Sequence, residues 1–540
     1  MTKISMFLVI SLSIVTATNA ADEMVALREA LLGTQSGYIT YSQYGAIGNG
    51  VADDFDAIIK AHAAANAAGL PVRAEPGAWY YIGASTQTAQ IQTDTDWRDA
   101  RFIIDDSKVA GRARSSHVFH ISSKLPSISL TSHVLPFKKG QEKLVFRSPP
   151  NLIQDAFVVA QDDQTMRFAR RSSNRLSNGV RQTDVFLIDK DGNVDPTTPI
   201  VWDFDNISEM TAYPIDHEML TIKGGHFTTI ANRVSGTAYF HRNVLITRSN
   251  AVIDGIRFAV IEETETRSPY RGLQVIDSTN VTVQHAVLAS QMATGSGTYG
   301  FNISRSNNVT LKNCKQTADI NDARYWGVFA SYFSKNLTFD TVEFSRFDAH
   351  EGVTNAIIRN SVLGHQGINL IGHGTFFVEN TKVCGNRFIN LRRDYGSWFD
   401  GEIVVRNCEF LPNNGRESDA ILIGGGNSGQ SNFKQPCIMP RKITIDGFVV
   451  HDINPPSGYS GPKIFANFTP NYTEATVQNG TFEWQYPFLT TEEVEIRNLT
   501  IKSGKPLNTS ANEWMFRNTV ITIDSVPLPR RNAIRPVENL

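Results

Sequence analysis

One short phrase recurs between Val252 and Asp524: an apolar pair or triplet, then Asn or Asp, then a small or apolar residue. It reads Val252-Ile253-Asp254-Gly255, Val309-Thr310-Leu311-Lys312-Asn313-Cys314, Leu337-Thr338-Phe339-Asp340-Thr341 and Ile357-Ile358-Arg359-Asn360-Ser361. Further copies are Phe377-Val378-Glu379-Asn380-Thr381, Val404-Val405-Arg406-Asn407-Cys408, Ile443-Thr444-Ile445-Asp446-Gly447, Val477-Gln478-Asn479-Gly480, Val494-Glu495-Ile496-Arg497-Asn498 and Val520-Ile521-Thr522-Ile523-Asp524. A period of roughly 20 to 30 residues built from short β runs points to a solenoid, whose repeats stack to bury a continuous core. The β-branched, alternating character of each phrase makes it a strand. Asn and Asp tolerate the left-handed turn conformation and bond neighbouring backbone. Stacked one per coil, they predict a ladder down the inside of a right-handed parallel β-helix.

The 540 residues would suffice for one long solenoid or for two to three globular domains, and the recurrence selects the solenoid. A net charge of -2 gives no argument for a nucleic-acid or bilayer partner. Lys3 is followed by the apolar run Met6 to Val15, and Thr18-Asn19-Ala20 offers small residues for cleavage. This reads as a secretory signal peptide over residues 1–20, which makes the mature protein secreted or periplasmic. No Cys follows the run to carry a lipid, and no later segment is long enough to insert in a membrane. Four cysteines are too few for a disulfide framework in a chain this long. Cys314 and Cys408 each follow a ladder residue several coils apart; at about 4.8 Å per coil they cannot bond each other. Both read as small buried hydrophobes, whereas the pairing of Cys384 and Cys437 stays open.

Residues 21–121 read as an N-terminal cap with the first coils. A short helical pattern runs from Glu23 to Leu32, and after Tyr44-Gly45-Ala46 and Gly48-Asn49-Gly50 an Ala-rich helix spans Phe55 to Ala68. Asp53 or Asp54 caps it and Gly69 ends it. The turn Glu75-Pro76-Gly77-Ala78-Trp79-Tyr80 follows. Over these forty or so residues the chain resembles the pectate-lyase superfamily of β-helix proteins, whose opening reads Tyr-Gly-Ala, Gly-Asp/Asn-Gly, Asp and a helix, then Pro-Gly-x-Tyr. The resemblance implies a helix that closes the N-terminal end of the solenoid and a carbohydrate ligand. It does not imply one reaction, because the superfamily includes polysaccharide lyases, glycoside hydrolases and phage tailspikes. Residues 122–216 break the coil rhythm with Pro149-Pro150 and Asp189-Lys190-Asp191-Gly192-Asn193; the alternating runs Asp155 to Ala160 and Thr183 to Ile188 predict a small inserted β-subdomain. The coils resume at Leu220, so residues 217–526 form the parallel β-helix and 527–540 a Pro- and Arg-rich tail.

Counting back thirteen residues from each ladder position aligns Gly272, Gly300, Gly327, Phe347 and Gly367. The residues before them, Arg271, Tyr299, Trp326, Arg346 and Gln366, then form an outward column suited to a sugar-binding groove. Alternate aliphatics after them point inward: Leu273 and Val275, Phe301 and Ile303, Val328 and Ala330, Ile368 and Leu370. One coil differs. Arg346-Phe347-Asp348-Ala349-His350-Glu351 puts Asp348 and His350 where other coils carry aliphatics, which is costly without a role or a bulge. His365, His373, Arg392, Arg393, Asp394, Tyr395, Trp398 and Asp400 lie on the following coils, and the loop Asp394 to Gly401 would wall the groove. Gly372-His373-Gly374 is similar to a motif of polygalacturonase-type hydrolases whose Asn-Thr-Asp, Asp-Asp and Arg-Ile-Lys companions this chain lacks.

The expected activity is therefore that of a secreted polysaccharide-degrading enzyme. A glycoside hydrolase using paired carboxylates among Asp348, Glu351, Asp394 and Asp400 is favoured. A lyase would use His350, His365 or Tyr395 as base and Arg392 or Arg393 to neutralise a uronate. A non-catalytic carbohydrate-binding or adhesion solenoid is the third reading. Arg271, Tyr299, Trp326, Arg346, His373, Tyr395 and Trp398 are the expected sugar contacts. His350, His365 and His373 lack the spacing of a metal centre, so no metal or cofactor is expected, with calcium the one ion left open. The expected partner is a polysaccharide, for a monomer or a homotrimer.

Overall fold

Ile222, Ile253, Val283, Leu311, Phe339, Ile358, Val378, Val405, Ile445, Ile496 and Ile523 stand in parallel register, each paired with the next. The first ten are at most 1% exposed, so one apolar position per coil builds an uninterrupted interior column. This is a right-handed parallel β-helix. The computed structural model describes residues 37–528 apart from 173–174, 293–297, 328, 428–430 and 483–487. The signal peptide expected at 1–20, the helix expected from Glu23 and the tail beyond 528 lie outside the described residues.

The ladder exists, but it runs down the outside. His285, Asn313, Thr341, Asn360, Asn380, Asn407, Asn498 and Asp524 all have φ between 48° and 58° except Asn380 at 46°. A residue in this left-handed conformation turns the strand at a corner, so Asn313, Asn360, Asn380 and Asn407 point to solvent. They still bond along the axis: Asn380 Nδ2 donates to Asn360 Oδ1 at 3.1 Å and Asn360 Nδ2 to Asp340 Oδ1 at 3.0 Å. The residue after the corner turns inward. Cys314, Ser361, Thr381 and Cys408 are all buried there. Cys314, Cys384, Cys408 and Cys437 are free thiols. The phrase Val477 to Gly480 is not a coil. It lies on a short helix, Glu474–Gln478, inside a wide loop, and Asp446 pairs onward with Arg497. Thr473 provides the local reason: its side chain and that of Thr476 make a capping box that starts a helix.

The helix Phe55–Ala68 packs Phe55, Ile58, Ala61 and Ala65 against the first coils and ends at Gly69, φ 68°. Its N-terminus is held differently from expectation. Asp54 turns back to accept the backbone N–H of Ile47 and Gly48, at 2.6 and 3.1 Å, while Asp53 accepts from Phe55 at 3.1 Å.

The insert leaves the solenoid between two coils that remain adjacent. Strands Thr95–Asp105 and Leu220–Ile230 pair directly, although their sequences are separated by the whole subdomain. Within it, strands Val180–Ile188, Ala156–Arg167, Glu209–Pro214 and Ile128–Ser129 form an antiparallel sheet in that order. Phe137, Phe186 and Phe204 fill a core of its own. It is locked against the coils. Lys335 Nζ lies 2.7 Å from Asp184 at 2% and 1% exposure, and Trp202 stacks on Trp398 at 5.4 Å. Breaking one partner of such a buried pair is strongly destabilising.

Candidate active site

Strand Glu343–Arg359 carries the site, and its local register explains why. Ser331 pairs with Ala349 but Tyr332 pairs with Glu351, so His350 is the extra residue of a bulge. Phe347 and Ala349 enter the core at 0% exposure. Asp348 faces the other way, in register with Asn369. The thirteen-residue count is one position out at these coils, because Phe301 pairs with Phe329, not Val328. Asp348 therefore does not occupy a core slot. It is 0% exposed because other side chains cover it.

Those side chains form a buried hub. Asp348 Oδ2 accepts from Tyr299 Oη at 2.7 Å, forms an ion pair with Arg346 Nη2 at 2.9 Å, and lies 3.2 Å from His350 Nδ1. Asp348 Oδ1 takes Arg392 Nη1 at 2.8 Å. Burial opposes the charge, but Arg346 and Arg392, helped by His350, hold the Asp348 carboxyl well below the usual range. An acid that stays ionised and has no exposed surface cannot hand a proton to substrate. Asp348 organises the site instead. The expected open column of Arg271, Tyr299 and Arg346 is likewise buried, at 9%, 5% and 4% exposure, with Tyr299 and Arg346 committed to Asp348. Trp326 lies beneath the Arg346 guanidinium, 5.4 Å from ring centroid to carbon.

Arg392 links the hub to a second carboxyl. Its Nε and Nη2 reach Asp394 Oδ1 and Oδ2 at 3.1 and 2.7 Å, a two-point fork. A tight turn, Arg393–Tyr395 closed by Gly396 at φ 80°, brings both residues to the same side. Asp394 Oδ2 also meets Arg170 Nε at 2.7 Å. Burial raises the Asp394 carboxyl, but Arg392 and Arg170 outweigh it and keep it ionised. Glu351 behaves oppositely. Burial pushes its carboxyl up to about 7, and the same two guanidiniums, Arg392 and Arg170, pull it back only in part. No ion-pair partner lies within 4 Å of Glu351 among the described residues. His350, desolvated and 3.0 Å from Arg392 Nη1, is lowered to about 4 and so is neutral near neutral pH. Tyr332 and Tyr395 flank its ring at 5.3 and 6.0 Å.

Glu351 opens onto a groove of about 450 Å³ between the solenoid and the insert. Tyr332, Phe333 and Arg305 line one side and Gln161, Asp163 and Met166 the other.

The structure thus gathers Asp348, His350, Glu351, Arg392, Asp394 and Tyr395. It separates others. His365 Nδ1 sits 2.9 Å from the Ile320 carbonyl, on another edge of the coil. Arg393 is exposed and Asp400 pairs with Lys139 at the surface, 3.2 Å away. His373 is clamped edge-on by Trp202 and Trp398, 4.6 and 4.4 Å between centroids, and burial holds it neutral. His373 and Trp398 therefore belong to the docking face of the insert. Among the described residues no group of three His, Cys, Asp or Glu side chains is arranged to hold a metal ion. Two site residues escape the sequence reading. Arg170 comes from the insert, with no motif to flag it. Tyr332 would follow from shifting the coil count by one.

Comparison with known proteins places the architecture. The tailspike gp61 of Pseudomonas phage phi297 superposes with a TM-score of 0.54 at 15% identity, covering 86% of this chain and 80% of that one. The gp54 tailspike of Acinetobacter baumannii bacteriophage AP22, solved in complex with an A. baumannii capsular saccharide, gives 0.51 at 10% identity, covering 91% and 74%. Identities this low establish a shared fold, the right-handed parallel β-helix, and no more. No family model and no curated protein sequence matches the chain. Among the described residues no helix is long and apolar enough to cross a membrane.

Proposed function

We propose that the protein is an exported polysaccharide hydrolase in which Glu351 is the general acid and Asp394 the ionised partner, base or nucleophile. The observation that carries this reading is the contrast between two carboxyl groups near the same pair of guanidiniums: Asp394 is ion-paired with Arg392 and Arg170, each at 2.7 Å, and held low, whereas Glu351 has no ion-pair partner among the described residues and is raised by burial. Two carboxyls driven apart in this way are what glycoside hydrolysis requires, one protonated for the leaving oxygen and one charged opposite it. Arg392 and Arg170 keep Asp394 charged, while Asp348 fixes Arg392 from behind. The fold shared with a tailspike solved on a capsular saccharide supports a polymeric carbohydrate as ligand. Export follows from the apolar N-terminal run.

A second reading is β-elimination. It is favoured by the neutral His350 and by Tyr395, which lies under Arg170 and Arg392 at 5.4 and 4.7 Å. Incubation with a panel of acidic and neutral polysaccharides, read for reducing ends and for ultraviolet absorbance, separates the readings. New reducing ends without absorbance support hydrolysis. Absorbance of an unsaturated uronide supports elimination, and binding without any shortening of the polymer overturns both.

A further inference from the structure

Among the described residues Arg271 has no acid to pair with. It is 9% exposed, yet among the described residues no carboxylate lies within 4 Å of it, and neither its Nε nor its Nη1 has a hydrogen-bond acceptor. Its guanidinium carbon lies over the Tyr239 ring, 4.1 Å from the centroid, a cation–π contact that supplies no anion. The neighbouring His241 is desolvated and further lowered by this arginine, so it supplies no compensating charge. The Tyr332 hydroxyl lies within hydrogen-bonding reach of Arg271, and Tyr332 lines the groove onto which Glu351 opens. The other arginines of the site are matched: the buried Arg346 and Arg392 by Asp348, and Arg392 and the partly exposed Arg170 by Asp394. Four guanidiniums thus face two ion-paired carboxylates, Asp348 and Asp394, while Glu351, raised by burial, is ion-paired to none of them. A buried cation left without an anion is costly, and a fold retains one where a ligand supplies the missing charge.

We infer that Arg271 is the anchor of a subsite for a carboxylated sugar, so that the polymer bound beside Glu351 is acidic. Tyr332 and Tyr239 would frame that sugar, the first by its hydroxyl and the second by fixing the guanidinium plane. Register sets the location: Tyr332 is the direct neighbour of Glu351 on the preceding coil, about 4.8 Å away. The subsite therefore holds the sugar at, or next to, the bond over which Glu351 stands. This inference rests on the reading of Glu351 as the reacting end of the groove, but its test needs no turnover.

Binding is measured by calorimetry on the Glu351→Gln protein, with polygalacturonate, alginate, hyaluronan and a uronate-bearing bacterial capsule as probes. Each is used as isolated and after chemical reduction of its carboxyls, with a sulfated neutral glucan as a further arm. The expected result is that at least one acidic polymer binds, that carboxyl reduction weakens it tenfold or more, and that Arg271→Gln does the same. Arg271→Lys should recover part of the loss. Because Arg271 carries an unneutralised buried charge in the free protein, Arg271→Gln should melt no lower than its parent, which separates lost binding from lost fold. Equal affinity for native and reduced polymers, unchanged affinity in Arg271→Gln, binding of the sulfated glucan alone, or no binding to any carboxylated probe would each overturn the subsite. Failure of the hydrolytic reading looks different: acidic polymers would bind through Arg271 but yield unsaturated ends, or none, when Glu351 is intact.

Discussion

Arg170 of the inserted subdomain and Asp394 of the solenoid are joined by a 2.7 Å ion pair, each about one-fifth exposed. More than two hundred residues of sequence separate them, yet the pair sets the charge of one carboxyl and influences the other, since Arg170 also pulls on Glu351. The insert is thus part of the site as well as one wall of the groove.

Arg170→Gln should raise the pKa of both Asp394 and Glu351, because the guanidinium lowers both. The acidic and basic limits of the pH–activity profile should then move upward together. A fall in turnover of about tenfold or more is expected from the misplaced Asp394. A lowered rate with an unshifted profile would mean that Arg170 acts only by holding the insert in place.

Asp348→Asn should cost about 3 kcal/mol of stability, because it leaves Arg346 and Arg392 buried against a neutral amide. The loss of activity would then accompany a loss of fold. The sign with pH follows from the depressed carboxyl: the contribution of Asp348 is present above the unfolded carboxyl value and disappears as pH falls through its lower folded value. Denaturant midpoints of wild type and variant should therefore converge only in strong acid; equal midpoints at neutral pH would contradict the hub.

Asn360→Leu and Asn380→Leu should each destabilise by about 1–2 kcal/mol, through the strain of placing a branched side chain at positive φ. Their side chains are exposed, so lost buried hydrogen bonds do not enter. Asn360→Gly relieves the strain and should fall well short of the leucine cost. Chemical denaturation of the three variants checks the order, and a glycine variant as weak as the leucine one would count against the corner geometry.

The architecture was legible because it is written locally. Phrases such as Ile357-Ile358-Arg359-Asn360 state a strand and its corner within four residues, and stacking only multiplies them. Register was less legible, since a bulge at His350 and a one-residue slip near Phe329 leave the local pattern intact while exchanging inward for outward faces. Asp348 breaks no core slot, contrary to the expectation from the coil count; its importance lies in the arginines that converge on it. Val477-Gln478-Asn479-Gly480 shows the converse, a phrase of the right composition that Thr473 diverts into a helix. The contacts of Arg170 and the docking role of His373 depend on how a subdomain sits on the solenoid, which no short-range pattern encodes.

Glu351→Gln provides the sharpest test of the chemistry. As a general acid Glu351 must be protonated, and burial pushes its carboxyl up to about 7. Asp394 must be ionised, and Arg392 and Arg170 depress it. Activity should therefore hold steady from mildly acidic pH upward and decline as pH rises through about 7. The glutamine variant keeps the shape of the side chain but cannot donate a proton, so kcat should fall on the order of a hundredfold to ten-thousandfold with polymer binding retained. Stability carries a second, independent sign. A carboxyl raised in the folded state adds stability below its unfolded value and loses that contribution as pH rises through about 7. Wild type should thus lose stability relative to Glu351→Gln between mildly acidic and mildly alkaline pH. Parallel melting curves across that range, with turnover near wild type in the variant, would move the acid away from Glu351.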